Sequence, residues 1–187
     1  ASMRLMHTLA LLRKESVMFR PFEHVAPFED TGLPAERRKA DEYVWIKGKG
    51  GRVRWVALET EQQRASVALA RSLVTSRDAH LGHPALDLKR NLRRLDYALE
   101  KFGITKRLVG TTGHGLRHGN VNDLYESIAG VPSPVRGGGT VAADVDHAAR
   151  LAVSERAGHS RARASGAYIG AVLPKQPTGS RGPTALF

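Results

Sequence analysis

Apolar residues recur along the chain with two different periods, and the change of period divides it into elements. Met6, Leu9, Ala10 and Val17 fall on one helical stripe that Arg13 interrupts, so the spacing predicts a single helix over residues 6–18. Phe19-Arg20-Pro21-Phe22 ends it, because proline lacks an N–H donor and biases its predecessor away from helix. A long connection through Gly32-Leu33-Pro34 follows. From Glu42 the period shortens to two. Tyr43-Val44-Trp45-Ile46 and Val53-Arg54-Trp55-Val56-Ala57-Leu58, joined by Lys47-Gly48-Lys49-Gly50-Gly51-Arg52, predict a β-hairpin. Its second strand puts Val53, Trp55 and Ala57 on one face and Arg54 and Val56 on the other.

Helical character returns at Glu59 to Val74 and at Leu86 to Phe102, where Leu88, Leu92, Leu95 and Leu99 form a stripe that Gly103 closes. Two more helices are expected at His114 to Ile128 and Ala142 to Ala157. Between them, Gly130-Val131-Pro132-Ser133-Pro134 and Gly137-Gly138-Gly139 predict a flexible connection. Pro174 to Phe187, rich in Pro, Gly and Ser, is expected to be a tail.

With 187 residues and 41% hydrophobic content, the chain can bury one substantial core. The expected class is α+β, mainly α, with a small antiparallel sheet built on the hairpin near 43–58. No apolar run reaches the roughly 18 residues that span a bilayer. The lack of cysteine excludes a disulfide framework and thiolate chemistry, and suits a reducing cytoplasm. Lys plus Arg number 29 against 18 Asp plus Glu, a formal charge of +11, which favours approach to a polyphosphate by releasing its condensed counterions.

Three motifs bear on chemistry: Gly48-Lys49-Gly50 in the hairpin turn, His114-Gly115-Leu116-Arg117-His118, and Gly158-His159 followed nine residues later by Tyr168. His114 and His118 are spaced i, i+4 as in a metal pair, but no Glu follows His114 and no third ligand is evident, so no metal is expected. The glycine-rich turn lacks the Gly-Lys-Ser/Thr ending of a phosphate-binding loop, so ATP use is not indicated. Cutting a phosphodiester without a metal needs a nucleophile, cations facing the non-bridging oxygens and an acid for the leaving oxygen. Tyr168, the Arg and His residues, and Lys49 are side chains of the required kinds.

In order and spacing, these motifs resemble the C-terminal catalytic domain of tyrosine recombinases, the phage-integrase family that cuts and rejoins DNA. The resemblance covers most of residues 5–172, with 173–187 as the tail and the family's N-terminal core-binding domain expected to be missing. It implies that His114 and Arg117 contact the scissile phosphate, as in the family's His-x-x-Arg box. It likewise implies that Lys49 protonates the leaving 5′ oxygen, that His159 orients the phosphate and that Tyr168 forms the 3′-phosphotyrosyl link. The family's first arginine lies three residues before a glutamate, and that position here is Leu12; Arg13 is one residue late. Either the helix start lets Arg13 reach the phosphate, or a catalytic cation has been lost. The resemblance further implies double-stranded DNA as partner, four protomers at a synapse, no cofactor, and a place at the nucleoid in a bacterial cytoplasm. Two rivals accompany this expectation: an integrase-like protein that binds DNA without cutting it and, more weakly, a type IB topoisomerase.

Overall fold

The computed structural model describes residues 1–48, 51 and 53–170. Among the described residues the regular elements are eight α-helices, several short 3-10 helices and a three-stranded antiparallel sheet, so the molecule is mainly helical with a small sheet. Lys49 in the hairpin turn and the expected tail at Pro174 to Phe187 lie outside the described residues.

The single helix expected over residues 6–18 is two: α1 (Ser2–Thr8) and α2 (Arg13–Val17). Between them Leu9, Ala10 and Leu11 are all buried, and Ala10 takes a left-handed backbone with φ 53°. Because the linker is as apolar as the helices, the stripe runs on without a break while the backbone turns. Leu12 becomes the N-cap of α2, and its N–H donates to Glu15 Oε2 at 2.8 Å, a contact that closes the first turn.

The long connection before the hairpin contains a strand the periodicity does not reveal, β1 (Val25–Pro27). It pairs with β2 (Glu42–Lys47), which pairs in turn with β3 (Val53–Ala57). Ending in proline is tolerated there because β1 is an edge strand. Register sets Val44 opposite Val56 and Ile46 opposite Arg54, so these four share one face of the hairpin, and Val44, Ile46 and Val56 are core residues.

Helices α3 (Glu61–Leu73) and α4 (Leu88–Lys101) fall where the periodicity places them. Thr60 and Asp87 cap their first turns through side-chain oxygens that accept backbone N–H groups. Leu95 and Leu99 of α4 are buried in one core cluster with Leu5, Leu9, Val17 and Val67, and Leu88 and Leu92 pack against it. A short helix, α5 (Lys106–Val109), precedes α6 (Gly113–Ala129). Beyond α6 come α7 (Ala143–Arg156) and the one-turn α8 (Gly166–Ile169).

Val121 and Tyr125 of α6, Ala149 and Val153 of α7, and Ile169 of α8 form a second core cluster. The glycine-rich connection between α6 and α7, expected to be flexible, is tied down at its start. Ser133 is fully buried and donates to Asn122 Oδ1, and a Cβ on Gly138 would collide with the Pro132 carbonyl oxygen. Tyr125 Oη donates to Asp146 Oδ1 at 2.6 Å, and burial together with that bond pushes the phenol up to about 12. Arg150 continues the chain of contacts, donating to Asp146 at 2.7 Å and to the Gly170 carbonyl at 3.0 Å, which fixes the end of α8.

Candidate active site

Helix α6 buries Gly113, Arg117, Val121 and Tyr125, residues spaced by four that stack on one face. The arginine of the His-x-x-Arg motif is therefore an interior residue: Arg117 is 2% exposed, the largest fully buried side chain among the described residues. Its guanidinium converts that burial into a junction. Nη1 donates to the Ala10 carbonyl at 2.8 Å, and Nη2 donates to the Ala157 carbonyl at 2.6 Å and to Tyr168 Oη at 3.2 Å. One planar group thus holds together the α1–α2 turn, the end of α7 and the tyrosine of α8, as the fork of arginine permits. Ala10 gains a partner for the carbonyl that its left-handed backbone turns inward.

Tyr168 is half-buried, and its hydroxyl lies between two cationic or potentially cationic groups. Arg117 is one, and its Cζ also sits 5.5 Å from the ring centroid; His159 Nε2, 3.4 Å from the hydroxyl, is the other. His159 is exposed, and it follows Gly158, whose φ of 79° ends α7 and turns the chain toward α8. Asn122 fixes the other side of the tyrosine by donating to the Tyr168 carbonyl at 3.3 Å.

His114 and His118 lie on the helix face beside the buried stripe, their rings 4.6 Å apart. The ring that meets Tyr168 is that of His118, 5.0 Å away; His114 stands one turn farther out and is exposed. His118 lies outside the His-x-x-Arg pattern, yet its place directly after Arg117 puts it on the face adjoining the buried stripe. Burial, then the positive field of Arg117, lowers the pKa of His114 below its usual value. Burial, then His114, then Arg117, do the same to His118.

These lowered values have a consequence for stability. The folded state favours neutral imidazoles, whereas in the unfolded chain the same histidines titrate near 6.5. Below about pH 6.5 the unfolded state binds more protons, so stability falls with falling pH through that region. His24, lowered mainly by burial, contributes in the same sense. Urea denaturation at pH values from about 7 to about 5.5 is expected to show a declining midpoint, and His114→Gln with His118→Gln is expected to flatten the decline without abolishing it.

Arg13 does not join this cluster. As the first residue of α2 it points to solvent and donates to Asp96 of α4 at 2.5 Å. Leu12 faces the site instead, as a wall of an open cleft of about 630 Å³ lined also by Glu15, Arg37, Arg54, Arg117, Glu155, Gly158, His159 and Tyr168. Of the nearby basic run, Arg156 pairs with Glu59, and Arg161 and Arg163 are exposed. At the cleft floor Glu15 accepts two hydrogen bonds from Arg54, at 3.0 and 2.8 Å, and Arg117 Nη1 approaches it to 3.9 Å. None of the motifs contains this buried pair. Its signal is Arg54 sharing a strand face with core residue Val56, since an interior cation requires an anion.

Among the described residues no group of three or more His, Cys, Asp or Glu side chains could hold a metal ion, and no helix is long and apolar enough to cross a membrane. The chain matches no protein-family model, no curated protein and no solved structure.

Proposed function

We propose that this chain is a tyrosine-recombinase catalytic domain, cutting and rejoining duplex DNA through a covalent 3′-phosphotyrosyl intermediate. The observation that carries the reading is the convergence on one hydroxyl. Tyr168 Oη is within hydrogen-bond reach of Arg117 Nη2 and His159 Nε2, so motifs lying far apart along the chain meet at a single oxygen. A mainly helical fold with a small antiparallel sheet, the hairpin's Arg54 reaching the same cleft, and the +11 charge all support it.

In the reaction, Tyr168 Oη forms a bond to the scissile phosphorus and the bond from phosphorus to the 5′ oxygen breaks. The phenolic proton leaves, with His159 Nε2 a nearby acceptor, and one proton arrives on the departing 5′ oxygen, the role the resemblance gives Lys49. Arg117 stabilises the charge that grows on the non-bridging oxygens. The partner is double-stranded DNA, with protomers assembling on it at the bacterial nucleoid.

The second reading, a DNA-binding protein that does not cut, draws on one observation: Leu12 presents an apolar wall where the resemblance expects a cation. Incubation with a pool of nicked duplexes of randomised sequence separates the two. The recombinase reading expects a protein–DNA adduct that survives denaturing electrophoresis and maps by mass spectrometry to the peptide containing Tyr168. Retention of DNA without any adduct selects the non-cutting reading.

A further inference from the structure

Resting on the recombinase reading, we infer that Arg54 is the cation that replaces the arginine missing at Leu12, contacting a non-bridging oxygen of the scissile phosphate from the hairpin instead of from the first helix. Its position comes from β3. Opposite Ile46 and on the face of Val56, Arg54 extends from the sheet edge of the core into the cleft floor, where its side chain is 9% exposed. The Leu12 N–H and Arg54 Nη2 both donate to Glu15 Oε2, each at 2.8 Å. The guanidinium therefore lies one carboxylate oxygen away from the backbone of Leu12, the position where the cation is missing. On its other side it packs against the turn that carries His159: a Cβ added to Gly158 would lie 3.3 Å from Arg54 Nη1.

Charge and hydrogen bonding at the site agree with an anionic ligand. Around the cleft, Arg37, Arg54 and Arg117 face Glu15 and Glu155, three positive charges against two negative, leaving one positive charge on these residues. Arg54 Nε and Arg117 Nε are both buried donors with no partner among the described residues. Buried N–H groups are rarely left unpaired, so these two guanidiniums are not fully satisfied by the protein's own acceptors. Glu15 holds the Arg54 fork by two hydrogen bonds, so the cation is preorganised before DNA arrives, as stabilisation of developing charge requires. Arg13, the nearest cation in sequence, is engaged with Asp96 on the outer surface.

When the Tyr168 Oη–P bond forms and the P–O5′ bond breaks, negative charge shifts over the two non-bridging oxygens, and Arg54 with Arg117 would flank them. The test compares two pools of nicked duplexes of randomised sequence. One has an ordinary scissile phosphodiester; in the other a methylphosphonate replaces one charged oxygen with a methyl group. Wild-type protein and Arg54→Met are followed by the rate of denaturation-resistant adduct, with thermal melting run alongside. Arg54→Met is expected to slow adduct formation on the phosphodiester by about 100- to 1,000-fold and to react on the neutral methylphosphonate at close to the wild-type rate. An unchanged rate on the phosphodiester, or an equal loss on both pools, would overturn the assignment, since a residue that only supports the fold does not sense the substrate's charge. If Arg54→Met fails to fold, Glu15→Gln with Arg54→Gln replaces both members of the buried pair and takes the same comparison. Absence of any adduct from the wild-type protein rejects the recombinase reading itself, and this inference with it.

Discussion

Replacing Tyr168 with phenylalanine is expected to abolish the covalent adduct completely while leaving the fold and DNA retention almost unchanged. The substitution removes one oxygen. In the folded state that oxygen accepts from Arg117 at 3.2 Å and meets His159 at 3.4 Å, both long contacts on a half-buried ring. Their loss costs on the order of 1–2 kcal/mol. Arg117 keeps its bonds to the Ala10 and Ala157 carbonyls, and the ring keeps its contact with His118. The chemistry has no substitute, because the other tyrosine near α8, Tyr125, is buried against Asp146 with its phenol pushed up to about 12. Denaturing electrophoresis after incubation with the nicked-duplex pool reads the adduct, and urea denaturation reads the stability. A persistent adduct in Tyr168→Phe would assign the nucleophile elsewhere and remove the basis of the proposed function.

Much of this site was legible because its motifs are local. The four residues from His114 to Arg117 lie within α6, and the ten from His159 to Tyr168 run without a long excursion from the end of α7 into α8, so their spacing survives folding with little change. The long helices α3, α4, α6 and α7 were legible too, α4 from its leucine stripe and the others from runs of helix-forming residues. The first helix was not. Leu9, Ala10 and Leu11 are buried in a non-helical turn, and burial writes the same apolar letters whether the backbone is helical or not. Projecting Arg13 onto a continuous helix placed it on an apolar stripe, whereas the break makes Leu12 a cap and turns Arg13 out to Asp96.

The pairing of Glu15 with Arg54 was hidden for a different reason: the two are 39 residues apart and lie in no shared motif. Alternation along β3 correctly put Arg54 on the face of Val56, yet the partner that makes an interior arginine tolerable could be found only in three dimensions. Strand β1 escaped notice because three residues at a sheet edge carry too little pattern to establish a period.

Removing the carboxylate of Glu15 is expected to be among the most destabilising single changes in the molecule. Glu15 Oε1 and Oε2 accept both Arg54 contacts, Oε2 also accepts the Leu12 N–H that starts α2, and Arg117 stands 3.9 Å away. Glu15→Ala leaves Arg54 and Arg117, at 9% and 2% side-chain exposure, without their shared anion and facing one another's charge. Breaking a buried ion pair from one side costs about 3–5 kcal/mol, because the remaining charge is neither solvated nor compensated. Replacing both sides is far less costly, since the desolvation penalty disappears with the second charge. Glu15→Ala with Arg54→Met is therefore expected to be more stable than Glu15→Ala alone. A double-mutant cycle in urea measures the difference as a coupling energy. A cycle in which the two losses simply add would mean that the carboxylate and the guanidinium do not hold each other at the cleft floor. Arg54 would then lack the fixed position on which its role toward the phosphate depends.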